Sequence, residues 1–215
     1  VSGVTFNPGD AFSVFDCSPD QNKYEYKQDG RLGPAAGEAP QDRVFRGVYA
    51  VYPYSESMSM QTPGTSILMT IPSEVNYGEA PVAAGRIKGS TSVDLQMKPV
   101  LGSVRLDIYG YEKNIKTLKL SGNNNEVLAG DAVLNIASDG AASLAFTGSD
   151  EHKTLIVRFG AEGLQSGADK DNPVSIFVSV PEMTFSNGFT VELIDVSNTV
   201  WKTVKKVPVS VSEAN

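Results

Sequence analysis

Between Val174 and Pro181 the chain alternates with a period of two: Val174, Ile176, Val178 and Val180 fall on one side, Ser175 and Ser179 on the other. Side chains that alternate between two faces describe an extended strand with one face turned to a core. Pro181 ends it, because proline has no N–H to give to a ladder. The same pattern recurs in Val104/Leu106/Ile108 against Ser103/Arg105/Asp107, in Leu155/Val157/Phe159, and in Phe189/Val191/Leu193 against Thr190/Glu192. No window of a dozen residues repeats apolar side chains at three-and-four spacing, so helices contribute little. The chain is predicted to be all-β.

Turn chemistry separates the strands. Asn123-Asn124-Asn125, Asp139-Gly140, Gly148-Ser149-Asp150, Gly167-Ala168-Asp169 and Asn187-Gly188 all suit positive φ or side-chain-capped turns. Such turns at intervals of about ten residues point to sandwiches built from meanders and Greek keys. The first half is looser, with strands expected at Ala11 to Phe15, Gly47 to Tyr52, Ile67 to Ile71 and Ser92 to Met97. The Gly- and Pro-bearing stretch Asp29 to Asp42 is expected to be an exposed loop. With 215 residues, against about 100 to 150 for a common domain, two tandem Greek-key β-sandwich domains are expected, residues 1–98 and 99–215, with the regular second half opening at Gly102.

Charge and residue counts narrow the function. A net charge of -7 opposes phosphate backbones and anionic lipid surfaces, which require clustered Lys and Arg, so no nucleic-acid partner is expected. A lone cysteine, Cys17, cannot form an internal disulfide, and a lone histidine, His152, cannot build a histidine-rich metal site. No run reaches the roughly 18 apolar residues of a membrane-spanning helix. Val1-Ser2-Gly3 carries no export signal, so the leader of an exported chain would be either removed or outside these residues, and the chain would meet a membrane only through a lipid anchor that also lies outside them.

No catalytic constellation is visible. His152 lies in a polar turn, with no Gly-x-Ser-x-Gly elbow anywhere to supply a nucleophile. Asp169-Lys170-Asp171-Asn172 offers alternate oxygen ligands but lacks the glycine and distant glutamate of the helical calcium loop, and a charged hairpin tip accounts for it. Cys17 is read as a small residue at a strand end, with an exposed thiol as the other reading. No enzyme, metal or cofactor is expected.

Two places suggest contact with other molecules. In Lys205-Lys206-Val207-Pro208-Val209-Ser210-Val211-Ser212 the valines alternate, and Pro208 bars an ordinary central strand. Val207, Val209 and Val211 thus belong either to an edge strand of their own sheet or to a segment that adds to a partner's sheet. Tyr24, Tyr26, Tyr49, Tyr52 and Tyr54 could form an aromatic platform for sugars, Tyr52 and Tyr54 foremost. Core packing competes with that reading, since both faces of the 48–52 segment are mostly apolar. The Tyr52–Pro53 bond is a candidate cis peptide.

Gly9-Asp10 before an alternating strand, Tyr49-Ala50-Val51-Tyr52-Pro53-Tyr54-Ser55, Ile71-Pro72, Pro99-Val100-Leu101-Gly102-Ser103-Val104-Arg105-Leu106, the Leu118 to Gly130 block and Phe185-Ser186-Asn187-Gly188-Phe189 follow one another along nearly the whole chain. In that order and spacing they resemble the fimbrillin-like surface proteins of Bacteroides-type bacteria. The resemblance implies two transthyretin-like sandwiches, export as a lipoprotein and an extracellular, outer-membrane-anchored or fimbrial location. It also implies partners among other fimbrial subunits or host and bacterial surface ligands. Some members of that family polymerise after an Arg-specific protease removes an N-terminal strand and a neighbour's strand fills the groove. Arg43 and Arg46 are basic residues near the expected loop, neither assigned as a processing site. A non-catalytic glycan-binding module is the alternative function.

Overall fold

In the computed structural model, the described residues are 6–15, 21–26, 32–34, 49–61, 66–79, 81–88, 94–95, 97–137 and 140–212, and every regular element among them is a β-strand. The first sheet holds β1 (Ala11–Phe15), β2 (Gln21–Tyr26), β3 (Leu32–Pro34), β4 (Tyr49–Tyr52), β8 (Ala83–Lys88), β9 (Asp94–Leu95) and β10 (Lys98–Pro99). Its order is β10-β8-β4-β1-β2-β3, with β9 also on β8. A four-stranded sheet, β14-β13-β6-β5, joins β5 (Ser59–Met60) and β6 (Ser66–Ile71) to β13 (Gly130–Ile136) and β14 (Ala142–Phe146). A five-stranded sheet, β19-β18-β12-β15-β7, joins β7 (Glu74–Asn76) to β12 (Ile115–Gly122), β15 (Thr154–Arg158), β18 (Phe189–Asp195) and β19 (Val200–Val204). Two antiparallel pairs complete the set: β11 (Gly102–Ile108) with β16 (Val174–Val180), and β17 (Met183–Phe185) with β20 (Val209–Val211).

The period-two pattern becomes packing directly. Leu118 and Leu120 of β12 sit opposite Val157 and Leu155 on one side and Leu193 and Val191 on the other, so three neighbouring strands turn apolar side chains to the same interior. Ile67, Met69 and Ile71 of β6 and Leu134 of β13 belong to that same cluster, as do Val104, Ile176 and Val178 of the β11–β16 pair. Burying a side chain of this size stabilises by about 1.5–3 kcal/mol, which is why alternation specifies the register of each strand. The result is a β-sandwich architecture.

The middle of the first sheet, at β1 and β4, is covered on both faces. Phe15, Tyr49 and Val51 enter the main core, while Phe12, Val14 and Ala50 form a second cluster with Phe6, Tyr52 and Met97. β4 is a central strand between β8 and β1, which explains why its apolar residues do not alternate with polar ones.

Several local expectations are corrected. Gly- and Pro-rich composition predicted a loop from Asp29 to Asp42, yet Leu32–Pro34 pairs with β2 at the end of the first sheet. An edge strand tolerates Pro34 because its missing N–H faces away from the ladder. The remainder of that stretch lies outside the described residues, as do Cys17, Arg43, Arg46, Gly47 and Val48. Of the strand expected over Ser92 to Met97, Asp94–Leu95 pairs with β8 and Met97 is not in a strand, while Ser92, Val93 and Gln96 lie outside the described residues; Lys98–Pro99 pairs separately with β8. Two pairings also cross the expected boundary at 98/99: β6 lies beside β13 in antiparallel register, and β7 lies parallel to β15.

Candidate functional site

The three valines near the end of the chain occupy three different environments. Val211 is buried opposite Met183, and Val209 is partly buried opposite Phe185, both packed against the main core. Val207 is 53% exposed. The hydroxyls of Thr184 and Ser210 stand 3.0 Å apart on the outer face of this pair. Val211 also explains Gly102: a Cβ there would run into Val211 Cγ1 and the Ser212 carbonyl. The segment is therefore an edge strand of its own fold, docked through three residue pairs. It is held just upstream by the Lys205 N–H to Phe189 carbonyl bond of 2.8 Å and by Asn123 Nδ2, which donates to the Lys205 carbonyl at 2.8 Å.

Among the described side chains, Tyr49 and Tyr52 pack inward. Tyr49 is 5% exposed. The Tyr52 ring lies 5.1 Å from Phe6 and 5.0 Å from Phe12, so it closes the smaller apolar cluster. Burial, followed by the nearby Asp10 carboxylate, pushes its phenol above the usual tyrosine range. Tyr54 is half-buried, its N–H donating to the Ala11 carbonyl at 2.9 Å. The Tyr52–Pro53 bond is cis. Tyr24 and Tyr26 lie on β2, and their side chains are outside the described set.

The remaining polar candidates are committed to structure. Asp169 Oδ1 accepts the N–H groups of Asp171 (2.9 Å) and Asn172 (3.0 Å), so the carboxylate caps its own turn. These bonds, the Asp171 N–H first, hold its carboxyl below the ordinary aspartate range. His152 exchanges backbone bonds with Ala129 and stands 3.5 Å from Asp150 through Nε2. Asp195, fully buried, accepts Ser197 and Thr199 N–H groups at 2.8 Å each through Oδ1, closing the turn between β18 and β19. No group of three or more His, Cys, Asp or Glu among the described residues is arranged to hold a metal ion.

Sequence reasoning missed the outer face of the five-stranded sheet. Lys119 and Ser121 of β12, Thr154 and Ile156 of β15, Thr190 and Glu192 of β18, and Lys202 of β19 line a concavity of about 510 Å³ there. Registers place Ser121 between Thr154 and Thr190, and Lys119 between Ile156 and Glu192, with Lys202 beyond Glu192. Ser121 Oγ and Thr154 Oγ1 are 2.8 Å apart, Thr190 Oγ1 donates to Asn123 Oδ1 at 2.7 Å, and Lys202 Nζ donates to Glu192 Oε1 at 3.1 Å. Alternation in each strand shows which side chains point outward. It does not show that four strands distant in sequence bring these seven together.

Beside this face, β19 is an edge strand with Val200 and Val204 exposed. Its Trp201 meets Tyr111 edge-on at 5.1 Å. Elsewhere, Phe177 of β16 is 64% exposed opposite Arg105.

No protein-family model matches the chain. No curated protein matches it either. Among solved structures, the fold is similar to that of a "putative cell adhesion protein" from Bacteroides ovatus, with a TM-score of 0.59 and 11% identity, covering 98% of this chain and 81% of the other. At that identity the likeness concerns the fold.

Proposed function

We propose that the chain is a fimbrillin-like structural and adhesive subunit of a bacterial cell surface, acting through strand edges and outer sheet faces without catalysis or cofactor. The observation that carries this reading is the fold likeness along 98% of the chain to a protein described in terms of cell adhesion. Several acidic side chains are engaged in structural contacts. Glu74 pairs with Arg158, Asp107 with Arg105 and Ser175, and Asp169 and Asp195 with their own turns.

Assembly by strand exchange is the proposed mode, with Val207 to Val211 as the exchanged segment and other subunits as partners. Only three residue pairs fasten β20 to β17, and a strand that leaves exposes main-chain donors and alternate side-chain pockets that a neighbour's strand can fill. A chain lacking residues 207–215 is expected to bind a labelled peptide of sequence 205–212 by fluorescence anisotropy, and the same peptide carrying Val209→Asp is expected to bind far less. A truncated chain that melts cooperatively yet ignores both peptides would overturn the exchange. Beads coated with the full chain that adhere to bacterial surfaces no better than bare beads would overturn the adhesive role.

A further inference from the structure

We infer that the concave outer face of the five-stranded sheet is a binding site for a carboxylate-bearing sugar chain. This site stands whether or not the chain assembles with copies of itself.

The cations at this face are not equivalent. Lys202 is engaged by Glu192 at 3.1 Å, and Arg158, one strand position away, is engaged by Glu74 on β7. Lys119 sits between Ile156 and Glu192 on the central strand, partly buried, and its side chain makes no ion pair or hydrogen bond to any described residue. An ammonium with no bonded partner at such a face draws an anion, because a charge-assisted hydrogen bond is stronger than a neutral one. One uncommitted positive charge beside the Glu192 carboxylate suits a singly charged carboxylate. A phosphate chain or other dense polyanion would need several free cations and would be repelled by Glu192.

The rest of the lining specifies the body of the ligand. Ser121, Thr154 and Thr190 form a row of hydroxyls one position from Lys119 along the strands. Thr190 donates to Asn123, and Ser121 and Thr154 share one hydrogen bond, which leaves acceptor lone pairs on all three and one hydroxyl proton for the hydroxyls of a sugar. Ile156 sets an apolar patch beside the ammonium where the C–H face of a pyranose can rest. The volume of about 510 Å³ lies within the roughly 300–1,000 Å³ common for small-ligand sites. The site rests on four strands of one sheet, so little ordering is needed on binding.

Isothermal titration of the full chain with oligogalacturonate, a neutral gluco-oligosaccharide of equal length and a poly-glutamate peptide separates the outcomes. The acidic oligosaccharide is expected to bind saturably and more weakly as salt rises. Lys119→Gln is expected to cost about tenfold or more in affinity, Lys119→Arg to retain most of it, and Thr154→Val to weaken it without changing the salt dependence. Circular dichroism melts of the variants check folding, which these outward-facing substitutions should leave intact. No binding of the acidic sugar, equal binding of the neutral one, equal binding of poly-glutamate, or indifference to Lys119→Gln would each overturn the assignment.

Discussion

Gly188, just before β18, and Asp195, the last residue of that strand, lie seven positions apart, one legible from its own dipeptide and one not. Gly188 holds φ at +73°, and a Cβ there would collide with the Lys205 carbonyl. Both the left-handed backbone and the clash penalise any side chain, so Gly188→Ala should lower stability by about 1–3 kcal/mol in thermal or urea melts. Melts matching those of the parent would show that the turn relaxes without cost. The Asn-Gly dipeptide is enough to announce a tight turn at that position. Nothing near Asp195 announces a fully buried carboxylate, because its surroundings come from elsewhere in the chain: it lies opposite Ile115 where the register of β12 shifts, and it caps the turn that follows. Asp195→Ala leaves the Ser197 and Thr199 N–H groups unpartnered and should cost about 1–3 kcal/mol, whereas Asp195→Asn, which keeps an acceptor oxygen, should cost less. Equal losses for the two variants in the same melts would remove the capping explanation.

At the scale of elements, β7 shows how a three-residue strand is fastened. It lies parallel to β15, and Arg158 grips Glu74 across the pair through two hydrogen bonds, one of them 3.1 Å long. The Arg158 hydrogen bond holds the Glu74 carboxyl below the ordinary range, while Ser175, then Arg105, do the same for Asp107. A depressed native pKa means that the unfolded chain takes up protons first as pH falls, so this stabilisation is complete above the ordinary carboxylate pKa of about 4 and is lost below it. Melting temperature should therefore be flat from neutral pH down to about pH 5 and fall below about pH 4. Arg158→Gln should shrink the fall. A fall of unchanged size in that variant would show that the exposed pair is screened into irrelevance. Long alternating strands such as Val174–Val180 were legible because each has one wet face. β3 and β7 were not, since three-residue strands acquire their state from a neighbour that local pattern cannot name. For Tyr52 and Tyr54 the sequence left core packing and sugar contact both open for a similar reason: whether an aromatic residue is floor or ligand contact depends on what packs over it, here Phe6 and Phe12 on Tyr52.

Across the whole molecule, the all-β class followed from residue order alone, and the candidate binding face did not, because strand order in the sheet decides which outward side chains meet. The same strand order has a consequence for how such a chain can be divided. Ile67, Met69 and Ile71 reach across to the core beside Leu134, and Val75 reaches it beside Val157. A fragment of residues 99–215 should therefore melt without a sharp transition and bind a hydrophobic dye, while one of residues 56–215 should recover cooperativity. Sharp, dye-free melting of the shorter fragment would contradict this. Strands 66–71 and 74–76 act as a stitch through the seam, so a gene exchange that cut at residue 98 would separate each strand from the bed it lies in. Chimeras joined near residue 55 keep both strands with their partners, and the pairing of β4 with β8 is then what the two parents must re-form across the joint.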